Sequence, residues 1–256
     1  MTAGGVRKPI AGSRNCVRGW VSLLLVAGFA TGCTAIVGGA ARPAPGLVPR
    51  PLTGREVERA LLDNAELNRA FGQSFKTDPD QPGGFGGSEL LQENAQTPPD
   101  CGGVVDPLLK DSYAGSEVRA VATSDWMYSS PNPAAIAVQE AVVALPDARA
   151  ADAAFSALAR RWRSCGGATM TIGGDPNFTS RVGSIAEKNS VLSAPIDDIS
   201  SYMTMPEARA VGVRVNCLLE VKVVYYASAD RDGSSAHTAT AVDVAQLLMG
   251  KVSSLT

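Results

Sequence analysis

Side chains able to do covalent or acid–base chemistry are scarce in this chain, with five cysteines and one histidine among 256 residues. His237 stands in Ser234-Ser235-Ala236-His237-Thr238, and a serine–histidine–acid set would have to use it. No Gly-x-Ser-x-Gly elbow is present to offer the serine. A histidine in a polar loop ahead of a helix reads as solvent-exposed. Asp197-Asp198 could pair as carboxylates or hold a metal, but the residue type suits a turn or a helix N-terminus. Gly83-Gly84-Phe85-Gly86-Gly87 lacks the Lys-Ser/Thr that would make it a phosphate loop. Arg160-Arg161-x-Arg163 falls where a helix would end, so it complements the helix dipole. With no Cys-x-x-Cys or Cys-x-x-His spacing, no metal site is expected. The reading is of no catalytic residue, no metal and no cofactor.

The cysteines divide by position. Residues 1–18 are basic and polar, and residues 19–30 are mostly apolar and uncharged. Twelve helical residues span about 18 Å, short of a roughly 30 Å hydrocarbon core. A basic stretch, a short apolar stretch and small residues read as a secretory signal over residues 1–32. Cys33 follows Ala30-Thr31-Gly32 directly, as in a bacterial lipobox, where the thiol takes a diacylglyceryl group. The position three before it holds Ala30 instead of the usual Leu, and Ala30-x-Gly32 also suits ordinary signal peptidase. Lipidation at Cys33 and attachment to the outer face of the cell membrane are the expectation. Residues 33–53 are rich in Gly, Ala and Pro, as suits a flexible tether. Residues 54–256 form the domain.

Charge narrows the partners. Of 23 basic and 25 acidic residues, four basic ones and no acidic one precede Cys33, so from there on 19 face 25, a net of −6. That balance argues against nucleic acid, whose binders carry a basic stripe. At 45% hydrophobic and 19% charged, the chain is globular material.

Cys101, Cys165 and Cys217 remain in an exported, oxidising setting, where a disulfide is expected. Cys217 lies on the apolar side of an alternating segment and reads as a small buried hydrophobe. Cys101 and Cys165 each sit at an element boundary beside a Gly-Gly pair, in an exposed, turn-like context. They are the expected pair. Closing a loop of that length contributes about 4 kcal/mol in the chain-entropy model.

The positioning elements follow from periodicity. Thr53-x-x-Glu56 is a capping box that opens a helix over 54–71, ending near Gly72. Residues 76–103, with Pro82-Gly83 and Pro98-Pro99, read as a long loop of the kind that is functional or mobile. Residues 117–128 and 134–145 read as strands. Asp147 caps a helix to about 164, whose apolar side carries Ala151, Phe155, Leu158 and Trp162. Thr169 to Ile172 is a short strand, and 178–208 is poorly patterned. From 208 to 227 the alternation predicts one long strand that bends or bulges. Residues 230–235 form a loop, and a last helix spans about 238–252. The set predicts an α+β domain, a mainly antiparallel sheet with helices on one face. Phe85, Trp126, Tyr128 and Tyr202 are the candidates to line a cleft, though each would be equally at home in a core.

Several segments carry a family resemblance. They are the helix Leu61-Leu62-Asp63-x-x-Glu66-Leu67, the loop Cys101-Gly102-Gly103, and Val138-Gln139-Glu140-Ala141-Val142-Val143. Trp162-Arg163-Ser164-Cys165 follows an Ala-rich helix, and Arg209-Ala210-Val211 leads into Asn216 to Val221. From about residue 54 to 256 the chain resembles the extracellular sensor domain of PknH-type receptor Ser/Thr kinases, a domain that also occurs as free-standing lipoproteins. The resemblance implies an antiparallel sheet flanked by helices, with a cleft that accepts a ligand. The family usually carries two disulfides. The first would be Cys101–Cys165; the positions of the second hold Glu207 and Val224, which leaves Cys217 unpaired. The expected function is a non-catalytic, lipid-anchored module that binds an unidentified small molecule, lipid or envelope component. The rivals are a carrier or chaperone for envelope lipids or glycolipids, and a scaffold for a partner protein.

Overall fold

Alternating apolar residues build one large antiparallel sheet. In the computed structural model, which describes residues 48–226 and 239–256, its strands are β1 (Phe75–Thr77), β2 (Gly84–Gly86), β3 (Gln96–Thr97), β4 (Ala120–Tyr128), β5 (Ala135–Ala144), β6 (Thr169–Ile172), β7 (Asp175–Val182), β8 (Ala186–Lys188), β9 (Val191–Ser200), β10 (Thr204–Arg214) and β11 (Cys217–Tyr225). Their order is β1-β4-β5-β11-β10-β9-β7-β6-β3, with β2 beside β4 and β8 beside β9. The long strands stand at the centre and the short ones at the edges, where an unpaired ladder would invite association. The helices are α1 (Asn64–Phe71), α2 (Gly102–Val105), α3 (Ala148–Arg163) and α4 (Ala241–Leu255). The signal segment, Cys33, the tether up to residue 47, the 230–235 loop and His237 lie outside the described residues.

Both faces of the sheet are covered, not one as the sequence suggested. On the first face, Val57, Leu67, Phe71, Val244, Leu248 and Val252 pack on Ala122, Val142, Leu219, Val221 and Val223. The cover there is a 3-10 helix at Gly54–Ala60 together with α1 and α4. On the second face, Ala151, Phe155, Leu158 and Trp162 of α3 pack on Val143, Leu192, Val211 and Leu218, beside Val104, Val105 and Leu108. Each large aliphatic side chain buried this way contributes about 1.5–3 kcal/mol. Cys101 and Cys165 are bonded, with Cα atoms 5.6 Å apart. That bond ties the start of α2 to the end of α3, so it fastens the second-face cover to itself. Both cysteines are buried, not exposed as expected.

Local sequence explains several departures from expectation. The helix over 54–71 is two pieces, because Asp63 caps a second start and accepts from Glu66 N at 2.8 Å. Gly72 then ends α1 in a left-handed conformation, φ +64°, which glycine adopts without penalty. Asp147 caps α3 as expected, accepting from Ala150 N at 2.8 Å. The segment 76–103 is not one structureless loop. It holds β1, β2 and β3 and is pinned by Cys101. The stretch 208–227 is not one strand, since β10 and β11 turn tightly at Val215-Asn216. Val215 takes φ +52°, and the turn is held from outside. Asn216 Oδ1 accepts from Leu52 N at 2.8 Å, and its Nδ2 donates to Leu52 O and Leu145 O at 3.0 and 2.8 Å. Asp197-Asp198 forms neither a turn nor a helix start; both residues lie within β9.

Candidate functional site

The register of the sheet gathers polar residues into one band on the second face. Asp125 stands opposite Gln139, Gln139 opposite Lys222, and Lys222 opposite Arg209. One step along the strands come Glu207, then Asp198 opposite Met205, with Ser180 opposite Asp198 on β7. The band therefore crosses β4, β5, β11, β10, β9 and β7. α3 shelters the apolar part of the same face and leaves this part open: Asp125, Gln139, Lys222 and Asp198 are only half-buried.

Its inner end is sealed and its outer end accessible. Arg209, fully buried, donates from Nη2 to Glu220 Oε2 at 2.6 Å and from Nη1 to Val221 O at 2.7 Å. Its guanidinium lies 5.8 Å from the centre of the Trp162 ring. Glu220 also accepts from the Tyr113 hydroxyl and from Leu108 N. Burial and the facing Glu220 carboxylate together push the Tyr113 hydroxyl well above its ordinary pKa, so it stays a donor. This inner set is fully paired in charge and reads as an anchor for the Leu108–Tyr113 segment.

Toward the opening, Lys222 Nζ lies 2.9 Å from Glu207 and 3.6 Å from Asp106. Gln96 Nε2 donates to Asp106 at 2.8 Å. Ser180 Oγ donates to Asp198 at 2.6 Å. Burial raises Glu207 to about 7; Lys222 works against the shift and the Asp198 carboxylate adds to it. Burial opposes the Lys222 ammonium, yet the Glu207 and Asp106 carboxylates raise its pKa overall. Two carboxylates, Glu207 and Asp106, thus pair with one lysine, and Glu207 can hold a proton near neutrality.

A cavity opens at each end of the band. One of about 210 Å³ lies under the Gln81–Gly84 turn and is lined by Leu108, Thr123, Asp125 and Gln139. Burial lifts Asp125 to about 6, against a hydrogen bond from Gln139 and with help from Asp78. Gly83 lets the turn over this cavity approach β4 closely: its φ is +84°, and a Cβ there would stand 2.4 Å from Thr123 O. The other cavity, about 230 Å³, is walled by Ile172, Phe178, Ile199, Met203 and Met205, with Asp198 and Ser200. Among the described residues no cluster of His, Cys, Asp and Glu could hold a metal ion. The band offers charged and hydrogen-bonding groups to solvent, and Glu207 and Asp125 can exchange protons near neutrality.

The fold agrees with a known family. The PknH-like extracellular domain model matches residues 52–251. This chain belongs to the PknH-like extracellular domain family. Serine/threonine-protein kinase PknH of Mycobacterium bovis is 31% identical over 155 residues, which is 58% of this chain and 25% of the kinase. PknH of Mycobacterium tuberculosis is likewise 31% identical over 155 residues, 24% of its length. The chain thus spans about a quarter of the kinases it matches. The crystal structure of the extracellular domain of PknH from Mycobacterium tuberculosis superposes with a TM-score of 0.65 at 20% identity. It covers 79% of this chain and 97% of that one. The shared feature is the fold. The PknH-like domain is an extracellular one, and no described helix is long and apolar enough to cross a membrane.

Within this PknH-like domain the four aromatics named from sequence do not converge. Phe85 and Trp126 are half-buried against the first-face core, with the Arg55 guanidinium 4.8 Å over the Phe85 ring. Trp126 Nε1 donates to the buried Glu140 at 3.1 Å. Tyr128 is exposed at the end of β4, and Tyr202 is 93% exposed on the β9–β10 turn, with β5 and β11 between them. The side chains that do line the band are charged residues embedded in strands. One signal for them was present in sequence: Glu207, Arg209, Glu220 and Lys222 interrupt the most apolar strands of the chain. Glu207 and Val224, which the resemblance suggested as the positions of a second cysteine pair, stand opposite each other on β10 and β11.

Proposed function

We propose that this chain is a lipid-anchored lipoprotein of the cell envelope whose PknH-like domain binds a ligand without transforming it. The observation that carries the reading is the band itself. Both faces of the sheet are otherwise covered, and yet a row of charged side chains is left partly open between two cavities. Burying charges is unfavourable unless they are paired, so a fold with no use for them would replace them with apolar residues. The anchor is Cys33, and the ligand is a small molecule or envelope component presented outside the membrane. Cavities of 210 and 230 Å³ fall below the roughly 300–1,000 Å³ usual for drug-sized ligands. Their size favours a small ligand or a protruding group over a carried lipid with its acyl chains.

Two experiments test this. The full chain, expressed in a mycobacterium and recovered gently, is analysed by native mass spectrometry and then by denaturing metabolite analysis. A stoichiometric adduct that disappears in a Lys222→Met, Asp198→Asn variant supports binding at the band. An adduct that persists in this variant places the ligand elsewhere and overturns the assignment. For the anchor, a Cys33→Ala variant should leave the membrane fraction; equal membrane association of parent and variant would refute lipidation there.

A further inference from the structure

The cavity at the β7–β9–β10 end of the band has an unusual make-up. Ile172, Phe178 and Met203 remain 44%, 51% and 55% exposed, and with Ile199 and Met205 they wall about 230 Å³. Large apolar side chains left at the surface around open space are unfavourable until something covers them. A single charged side chain, Asp198, lines the same cavity. The buried Ser180 hydroxyl fixes one of its oxygens at 2.6 Å. No cationic side chain among the described residues lies within ion-pair distance of it; Lys222 attracts it from farther off, and Glu207 shares a hydrogen bond with it. Lys222 is engaged by Glu207 at 2.9 Å and Asp106 at 3.6 Å, and Arg181 pairs with Asp197 on the opposite face at 2.8 Å.

We infer that this cavity binds a small amphipathic cation, an ammonium group carried on a short apolar body. The inference rests on the ligand-binding reading above and gives its ligand a chemical class. The alternatives fail on the same residues. An anion would meet a carboxylate with more acids behind it. A neutral apolar molecule would strip water from Asp198 without replacing its hydrogen bonds. A hard divalent cation needs six or more oxygens and would find mostly hydrocarbon and thioether here. An ammonium supplies a charge-assisted hydrogen bond to Asp198. The Phe178 ring adds an electron-rich face for the cation, and the two thioethers adapt to an apolar body of varied shape.

The chain has six methionines, of which Met203 and Met205 line the cavity. That makes methyl-labelled methionine NMR of the full chain a direct readout. Hexylammonium, hexanol and hexanoate are titrated separately at pH 7. Hexylammonium should shift the Met203 and Met205 methyls saturably, at least tenfold more tightly than hexanol, and hexanoate should shift neither. Asp198→Asn should bring hexylammonium down to the level of hexanol, with the buried Met170 signal unchanged as evidence of folding. Phe178→Ser, at the exposed rim, should weaken hexylammonium without touching the Ser180–Asp198 bond. The inference is overturned if the three probes bind alike, if none shifts Met203 or Met205, or if Asp198→Asn leaves the affinity unchanged. A ligand found by native mass spectrometry alongside any of those outcomes would leave the ligand-binding reading standing and remove only its cationic class.

Discussion

The two faces of the sheet solve the same packing problem with different materials. The first face is almost wholly hydrocarbon, sealed by α1, α4 and the Gly54–Ala60 helix. Among the described residues its one buried acid is Glu140, which accepts from Trp126 Nε1 and from Leu62 N at 3.1 and 3.4 Å. The second face carries Arg209, Glu220, Lys222, Glu207, Asp198 and Asp125 on the same strands that turn hydrocarbon to the first. Burying apolar surface is favourable wherever it occurs, whereas charged side chains are tolerated only when partnered. The first face therefore serves folding, and the second, on the reading proposed above, gives up apolar burial for recognition. The disulfide reinforces its cover by tying the start of α2 to the end of α3.

The largest effect should come from removing that reinforcement. A Cys101→Ser, Cys165→Ser variant frees a 64-residue separation and should lose about 4 kcal/mol in urea denaturation. Hydrogen exchange should show the loss of protection in α2 and α3, while α4 on the first face keeps its own. Equal loss on both faces would mean that the cover is not a separate unit. Next is the inner ion pair. Arg209→Met leaves Glu220 buried without its cation and should cost about 3 kcal/mol, and adding Glu220→Gln should recover part of it. A single variant as stable as the parent would show that Tyr113 and Leu108 alone hold Glu220.

Glu140 gives a smaller effect with a definite sign. Burial raises its carboxyl to about 8 from an ordinary 4.5; the bonds from Trp126 and Leu62 and the Lys251 charge work against the shift, and Glu66 adds to it. The folded state thus keeps a proton that the unfolded chain releases above about 4.5. Stability must fall as pH rises from about 4.5 to about 8 and then level off. Glu207 and Asp125, raised to about 7 and about 6, act in the same direction on the second face. Glu140→Gln should remove the first-face share of that fall, leaving the variant more stable than the parent at pH 9 by on the order of 2 kcal/mol. Parallel stability–pH curves for parent and variant would mean that Glu140 is ionised in the folded protein.

Long periodic segments were legible from sequence and tight turns were not. α3, with Asp147 as its cap, and the paired strands β4 and β5 stand where the pattern put them. The hairpin β10–β11 was hidden for a specific reason. Val211 and Val213 and then Cys217, Leu219, Val221 and Val223 alternate without a break, and no Gly marks the turn. Yet the two-residue turn reverses the parity: Val211 and Val213 face the second core, and Cys217 to Val223 face the first. Alternation reports that one side is apolar, not which side, and here both sides are buried. The band escaped notice for the same reason, since an Arg or Glu inside a strand looks solvent-facing until the second layer is known. The disulfide was readable because three cysteines allowed few pairings and Cys217 sat in a strand. That free thiol is buried and pushed up to about 12 by burial alone.

The aromatic side chains chosen from sequence give the finest comparison of the faces. Trp126 is tied to the first face through Glu140, so Trp126→Phe removes a buried donor and should cost about 1 kcal/mol. Tyr202 touches neither core and is 93% exposed on the β9–β10 turn. Its main-chain N donates to Ser200 Oγ at 3.3 Å, an interaction that does not depend on its ring. Tyr202→Ser should therefore change unfolding free energy by less than about 0.5 kcal/mol. A loss above about 1 kcal/mol at Tyr202 would mean that its ring packs on the rim of the Phe178–Met203 cavity in solution. The cavity would then have a wider apolar mouth, and the division between a hydrocarbon face and a charged one would be less sharp at that end.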